Sequence, residues 1–186
     1  MYYNIVEHLD VEGYPTEAYQ SFKEANVSDL VYSIIVPIIF EFRSRTGREG
    51  VRLEREKRII STDNKTGIEE EFVVIDRIAV GEERFIIIIE GKKGTTSEAL
   101  KQCLLSLKDA RDRNGGGAVY GFITTGEFWA MIRYDGTFQM TNKMQVLFLS
   151  MKVEKVRWMK EGAVLVDCMY SALSNGGIVV KKIEGS

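Results

Sequence analysis

The chain has few of the residues that zinc sites and thiol nucleophiles use. Its 186 residues include one histidine, His8, and two cysteines, Cys103 and Cys168, which lack CxxC spacing. Zinc sites and Cys–His nucleophile pairs need several such residues close together, so the sequence argues against both. Two cysteines without a pairing pattern favour a reducing compartment.

The sequence also lacks a recognisable targeting segment and an excess of basic charge. The stretch MYYNIVEHLDVEGYP has no basic region followed by an apolar core, so we expect no secretory signal. The longest apolar runs are shorter than the ~20 residues of a membrane helix. We therefore expect an intracellular protein, cytoplasmic or nuclear, with no membrane partner. The formal net charge of −2 argues against binding through overall charge, but it permits a local basic patch.

Hydrophobic residues make up 45% of the chain, which suits one compact domain. We expect a single domain over residues 1–186. Its core would span roughly 28–140, with an N-terminal extension at 1–27 and a C-terminal elaboration at 141–186.

The spacing of apolar residues predicts the order helix, three strands, helix and two strands, followed by a variable C-terminal part. A strand–helix–strand crossover from Glu90 to Tyr120 implies a mixed sheet with helices packed on it, an α/β fold. The first helix would start at Ser28 or Asp29 and carry Pro37. Segment 142–161 has a mostly helical pattern, and segment 162–173 is ambiguous between strand and helix.

Charged residues interrupt two of the predicted strands. In RFIIIIEGKKG (84–94), five apolar residues lead into Glu90 and Lys92, which point the same way because they are two apart in a strand. Asp76 interrupts the preceding strand. A hairpin turn centred near Glu82–Glu83 would place Asp76 beside Ile89 and Glu90.

Two carboxylates close together in a partly dry site repel each other, and a divalent cation removes that repulsion. Mg²⁺ and Mn²⁺ prefer carboxylate oxygens, water and phosphate as ligands. Lys92 would then orient or activate an attacking water. Glu41 shares a helical face with Ile34, where a lone carboxylate is costly unless it is paired or binds a ligand.

These residues resemble the pattern of the PD-(D/E)XK nuclease superfamily, which has the restriction-endonuclease-like fold with an α-β-β-β-α-β core. Asp76 matches its second acidic motif, Glu90-Gly91-Lys92 its (D/E)XK motif, Glu41 its first-helix acid and Gln102 a glutamine found in many members. The stretch YGFITTGEFWAMIRYDG (120–136) also looks like the strand pair of related nuclease domains. The resemblance covers roughly residues 28–140. The chain departs from the family pattern at two positions. Ile75 stands where a proline often precedes the acidic residue, and Ser106 stands where a tyrosine often follows the helix glutamine.

The resemblance implies a metal-dependent nuclease that hydrolyses phosphodiester bonds in DNA or RNA. Asp76 and Glu90 would hold Mg²⁺ or Mn²⁺, with the carbonyl of Ile89 or Gly91 as a further ligand and Glu41 as an optional one. Gln102 would position Lys92 or the phosphate. Two other hypotheses stay open. One is an inactive module of the same fold that binds nucleic acid or a protein; the other is an unrelated α/β interaction protein, in which Asp76 and Glu90 would lie far apart.

Each of these residues also has a plain structural explanation. Glu90 and Lys92 fit an exposed ion pair, Asp76 an edge charge, and Glu41 a helix emerging into solvent. Most basic residues of 43–58 fit a solvated strand paired with Glu69, Glu70 and Glu71. We expect phosphate contacts chiefly from Arg43, Arg45 and Lys93. The apolar stretch 163–173 would suit a homodimer interface.

Overall fold

The computed structural model describes residues 1–15, 22–62, 67–93 and 97–179. Within these ranges the chain forms helices and strands in the predicted order, with an additional helix at the N-terminus. The helices are α1 (Tyr2–Glu12), α2 (Glu24–Thr46), α3 (Ser97–Arg113), α4 (Lys155–Glu161) and α5 (Ala163–Asn175). The strands are β1 (Val51–Ile60), β2 (Gly67–Ala79), β3 (Glu82–Gly91), β4 (Val119–Thr124), β5 (Phe128–Tyr134), β6 (Phe138–Met140) and β7 (Met144–Gln145).

The strands form one mixed sheet in the order β1-β2-β3-β4-β5-β6, with β7 paired to β5. The first three strands are an antiparallel meander, and β4 lies parallel to β3. Helix α3 makes the crossover between these two parallel strands, as a parallel connection requires. The predicted meander, crossover and mixed sheet are therefore confirmed.

Helices cover both faces of the sheet, which explains why β3 is apolar without alternation. On one face, Ile87 and Ile89 pack in a core with α1, α2, α4 and α5. On the other, Phe85 and Ile88 pack in a second core against α3. These faces are called the α2 face and the α3 face below.

Helix α2 is longer than the sequence predicted. It begins at Glu24, one turn before Ser28, and Gly47 ends it with a left-handed φ of 69°. Pro37 lies inside the helix, as predicted. The length and apolar composition of α2 would also let it cross a membrane, but eight of its side chains, among them Ile34 and Phe42, are buried in the α2-face core.

The two ends of the chain differ most from the sequence predictions. Residues 1–27 were expected as an extension, but Ile5 of α1 is fully buried in the α2-face core. Segment 142–161 forms β7 and turns before the short helix α4. Its apolar residues, such as Leu147 and Met151, are buried one by one from these turns and do not form one face of a helix. The ambiguous segment 162–173 is helical, since all of it after Gly162 belongs to α5. Leu165 and Leu173 are buried in the core, so they are not available for the predicted homodimer interface.

Candidate functional site

The predicted neighbourhood of Asp76 and Glu90 is wrong. The turn between β2 and β3 lies at Val80–Gly81, so Asp76 pairs with Arg84. Arg84 is six residues before Glu90 on the same strand, which puts Asp76 and Glu90 roughly 20 Å apart. Asp76 instead pairs with Arg48, Oδ2 to Nη2 at 2.6 Å. Asp76 and Glu90 thus lie far apart, as the hypothesis of an unrelated α/β protein expected. Asp76 is too distant to bind a metal ion together with Glu90.

Glu90 lies beside two other acidic residues of β2. Because Phe72 pairs with Ile89, the residue opposite Glu90 is Glu71. The backbone N–H of Glu71 donates to Oε1 of Glu90 at 3.2 Å. Glu70 precedes it on the same strand. The end of β3 is therefore an acidic cluster of Glu70, Glu71 and Glu90.

A local break in the sheet orients these carboxylates. The ladder between β1 and β2 pairs Arg55 with Phe72 and Lys57 with Glu70, but it omits Glu56 and Glu71. Glu56 has a φ of 51°, the left-handed region that side chains other than glycine rarely adopt. As a result, the consecutive side chains of Glu71 and Phe72 both contact α2.

The carboxyl groups of Glu70 and Glu90 lie on the α3 face, where both are almost fully buried. Oε1 of Glu70 accepts a short hydrogen bond from Oγ of Ser106 on α3. Oε2 of Glu70 is buried and has no hydrogen-bond partner among the described residues. Since buried polar atoms normally have partners, this oxygen is where a proton shared with Glu90, or a cation that replaces that proton, would lie.

Glu71 lies on the α2 face and is held by two donors. Oε1 accepts a short hydrogen bond from Oγ of Ser28, and Oε2 accepts one from the backbone N–H of Gly91 at 2.8 Å. A Cβ on Gly91 would lie 3.0 Å from Oε2 of Glu71 and 3.3 Å from Cγ1 of Val27. Glycine is therefore needed for the carboxylate to come this close.

Lys92 follows the cluster at the end of the strand. Its backbone N–H bonds to the carbonyl of Thr124, which keeps it next to β4. Its ammonium group forms an ion pair with Glu24 at the start of α2, Nζ to Oε1 at 2.5 Å. This pair raises the pKa of Lys92, with the charges of Glu90 and Glu71 adding to it. The ammonium group of Lys92 is therefore held by Glu24 of α2.

Burial sets the protonation of the acidic cluster. The pKa of Glu90 is raised to about 9, mainly by desolvation. The hydrogen bond with Glu70 and the charge of Glu70 also raise it. Burial also raises the pKa of Glu71, although the hydrogen bonds from Ser28 and Gly91 oppose it. Without a cation, Glu90 is a neutral acid at neutral pH that shares its site with Glu70.

Some of the other predicted site residues lie near the acidic cluster, and some lie far from it. Gln102 on α3 lies near the cluster, where Nε2 donates to the carbonyl of Glu69 at 3.1 Å. Lys93 is half-buried at the end of β3. Glu41 and its ion-pair partner Arg45 lie near the end of α2, roughly 20 Å along the helix from Ser28. Glu41 is exposed and does not join the cluster.

Arg43 shares that distant end of α2, and its Nε is buried without a hydrogen-bond partner in the described ranges. Arg43 and Arg45 therefore lie beside Glu41, as predicted, but not beside Glu90. Neither residue can contact a phosphate at the acidic cluster, because the length of the helix separates them from it.

The fit of a divalent cation rests on two observations from the α3 face. Two carboxyl groups share one buried space, and one of their oxygens has no partner in the described part of the chain. Mg²⁺ commonly binds through one or two carboxylates plus water and phosphate oxygens. No group of three or more His, Cys, Asp or Glu in the described ranges is arranged to hold a metal. The protein ligands that a cation would have are therefore limited to the carboxylates of Glu70 and Glu90.

Glu70 and Glu71 were not identified from the sequence as members of the cluster. Glu24 was also not identified as the ion-pair partner of Lys92. The signal for two of them was present. Gly81 is a turn residue, and a hairpin centred on Val80–Gly81 places Glu71 opposite Glu90. Glu24 had no comparable signal, because its approach to Lys92 depends on how α2 packs across the sheet.

No protein-family model, curated protein or solved structure matches the chain. The geometry of the site is therefore the basis for its function.

Proposed function

We propose that the protein is a metal-dependent phosphodiesterase that hydrolyses DNA or RNA at the cluster of Glu70, Glu71, Glu90 and Lys92. The observation that carries this proposal is the buried carboxyl pair Glu70–Glu90 at the end of β3, two residues before Lys92. In that pair the pKa of Glu90 is raised to about 9, and Oε2 of Glu70 lacks a partner among the described residues. A bound divalent cation would favour the ionised form of Glu90 and would give Oε2 of Glu70 a partner.

The order of elements supports a restriction-endonuclease-like fold. Helix α2, the antiparallel strands β1–β3, helix α3 and the parallel strand β4 follow the α-β-β-β-α-β order that the sequence resemblance implied. Within this proposal Glu71 or Glu70 takes the position expected of Asp76. Each lies one hairpin before Glu90-Gly91-Lys92.

Glu70 and Glu90 are the residues that would hold Mg²⁺ or Mn²⁺, with Glu71 adjacent on the other face of the strand. The cation would supply a Lewis acid that offsets the charge of the phosphate. Ser106 and the backbone N–H of Glu71 orient the two carboxylates, and burial keeps bulk water away from them.

Lys92 would contribute charge and positioning. Its ammonium group stabilises negative charge that develops on the phosphate, since a fixed cation in a partly buried site interacts more strongly than one in water. Its pKa is raised by Glu24, so it is protonated at neutral pH. It therefore acts as a hydrogen-bond donor, which orients a water or a phosphate oxygen. Gln102, bound to the carbonyl of Glu69, fixes the neighbouring backbone.

Cleavage of labelled single- and double-stranded DNA and RNA tests this proposal. We expect cleavage with Mn²⁺ or Mg²⁺ and none with EDTA. Lys92→Ala and Glu90→Gln should each reduce cleavage at least about 100-fold, a typical loss for removing one electrostatic group. Asp76→Asn is the matched control. It changes an acidic residue of the same sheet far from the cluster and should retain activity. Equal cleavage by all four proteins would exclude this site.

A binding module without turnover is the second candidate. It is favoured by the absence, in the described ranges, of any group of three metal-ligating side chains. Calorimetric titration with Mn²⁺ separates the two. A catalytic site should bind Mn²⁺ and lose affinity in Glu90→Gln, whereas a module that only binds need not respond to either change.

A further inference from the structure

On the α2 face, near Glu71, the guanidinium group of Arg55 lies over two neighbouring aromatic rings. Cζ of Arg55 lies 5.3 Å from the ring centroid of Tyr32 and 5.3 Å from that of Phe72. The two rings lie 6.5 Å apart. Phe72 is fully buried, whereas Tyr32 is 42% exposed. The rings restrict the orientation of the guanidinium group and leave it at the surface.

This surface lies on the α2 face, one helical turn from Glu71. Ser28, which contacts Glu71, and Tyr32 are four residues apart on α2, so their side chains are neighbours on one face of the helix. Arg55 pairs with Phe72, the residue directly after Glu71. The break in the ladder at Glu71 turns Glu71 and the arginine toward the same helix, whereas Glu70 and Glu90 face α3 on the other side of the sheet.

The charge of Arg55 is only weakly offset. Oδ1 of Asp29 lies 3.7 Å from its guanidinium, which is longer than a hydrogen bond, and both side chains are about half exposed. Exposed ion pairs of this kind are weak, so a phosphate can compete with Asp29 for the guanidinium. A guanidinium also stacks on aromatic rings and binds phosphate through two N–H groups.

We propose that Arg55 and Tyr32 bind a phosphate and an unpaired base of single-stranded nucleic acid on the α2 face, one helical turn from Glu71. This inference rests on the proposed function. Aromatic rings and guanidinium planes stack on bases that are not already paired in a duplex. A net charge of −2 gives the chain no overall attraction to the dense charge of a duplex. DNA and RNA share this chemistry, and the binding test uses both.

Fluorescence anisotropy with short labelled oligonucleotides measures this binding. All variants would be made in a Lys92→Ala background with Mn²⁺, so that the probe is not consumed. We expect Arg55→Ala to weaken single-strand binding about 5- to 20-fold. It should also lower the slope of log K against log salt by about 0.7, the value for one phosphate contact on a single strand.

Arg52→Ala is the matched control. Arg52 pairs with Ile75 of the α3 face, so it lies on the opposite side of the same strand from Arg55. It should change affinity by less than about twofold, since it loses the same charge away from the proposed contact. Tyr32→Ala should weaken binding at least about fivefold and Tyr32→Phe should retain it, because only the ring face is required. Thermal melting of each variant checks that the fold is intact.

The outcomes separate this inference from the proposed function. If protein with Lys92 intact does not cleave but single-strand binding depends on Arg55, the contact site stands and the nuclease function is wrong. Equal losses from Arg55→Ala and Arg52→Ala would overturn the contact site, even if cleavage occurs. Tighter binding to a duplex than to either single strand, or no binding at all, would also overturn it. A difference between the DNA and RNA probes would identify the preferred strand.

Discussion

Oε1 of Glu90 accepts a hydrogen bond from the backbone N–H of Glu71, at 3.2 Å, across two neighbouring strands. The side chain of Glu90 thus bends over its own sheet instead of extending to the surface. Because this bond holds the carboxyl group in the buried space next to Glu70, its ionisation depends on the protein interior. The first predictions concern that ionisation.

The stability of the metal-free protein should fall as the pH rises from about 5 to 9. The pKa of Glu90 is raised to about 9, well above the ~4.3 of an unfolded glutamate. Between these values the folded state binds more protons than the unfolded state, so the free energy of unfolding decreases with pH. The slope is at most about 1.4 kcal/mol per pH unit. Urea unfolding in EDTA at several pH values measures it.

Glu90→Gln is the control for this pH dependence. The amide resembles the protonated acid in shape and cannot ionise, so its slope over the same range should be clearly smaller. A variant with the wild-type slope would assign the pH dependence to other groups. Asp76→Asn should keep the wild-type slope, because Asp76 is roughly 20 Å from Glu90.

Adding Mn²⁺ should reverse this trend. A cation binds the ionised carboxylates, so its binding displaces the proton held by Glu70 and Glu90 and becomes tighter as the pH rises. At 100 times the dissociation constant, a ligand of the folded state adds about 2.7 kcal/mol of stability. Calorimetry in two buffers of different ionisation enthalpy counts the released protons. No proton release, or no gain in melting temperature, would contradict a metal site at this pair.

The fold was largely predictable because its central elements follow simple patterns. The apolar stripe of α3, the continuous apolar run of β3 and the turn residues between strands each have one structural solution. Segment 142–161 does not, since its apolar residues anchor turns in which only Leu147, Met151 and a few others are buried. Helix α1 was missed because three buried side chains in eleven residues give a weak periodicity.

The candidate site was only partly predictable, for a reason of register. Glu90 and Lys92 were identified because they end a buried strand. The residue of β2 that lies opposite Glu90 depends on where the β2–β3 hairpin is centred. Moving the predicted centre by two residues replaces Glu71 with a residue nearer the turn. The break at Glu56 then decides which face Glu71 occupies. Neither that break nor the reach of Glu24 to Lys92 can be derived from spacing alone.

The two serines that bind the acidic cluster should differ in their contribution to stability. Ser106 is fully buried, and Ser106→Ala removes the donor to Glu70, which leaves a buried carboxylate oxygen without a partner. We expect a loss of about 1–3 kcal/mol. Ser28 is only half-buried, so water can replace its bond to Glu71 and Ser28→Ala should cost less than about 1 kcal/mol. Parallel urea titrations compare them, and the reverse order would contradict the assigned burial.

The left-handed backbone of Glu56 predicts an unusual order of substitutions. Glycine adopts a φ of 51° without steric strain, so Glu56→Gly should be neutral or stabilising by up to about 1 kcal/mol. Glu56→Val should destabilise by about 2 kcal/mol or more, because β-branched residues are rarely found at positive φ. Thermal melts test the order. If valine were tolerated as well as glycine, Glu56 would not mark a true break in the ladder.

Gly91→Ala tests whether Glu71 belongs to the functional cluster. The new methyl group would lie 3.0 Å from Oε2 of Glu71 and 3.3 Å from Cγ1 of Val27, so the carboxylate must move and its bond to the Gly91 N–H must lengthen. We expect a stability loss of about 1–3 kcal/mol. We also expect a fall in Mn²⁺-dependent cleavage of about tenfold or more, as small displacements in active sites cause.

A comparison with Glu71→Gln decides how that result is interpreted. Glutamine keeps the size of the side chain and the bond from Ser28, but it removes the charge. If Gly91→Ala and Glu71→Gln both reduce cleavage while remaining folded at the assay temperature, the position and charge of Glu71 both matter for the reaction. If both variants cleave at the wild-type rate, Glu71 only closes the α2 side of the strand. The reaction would then depend on Glu70, Glu90 and Lys92, all of which Gly91→Ala leaves in place.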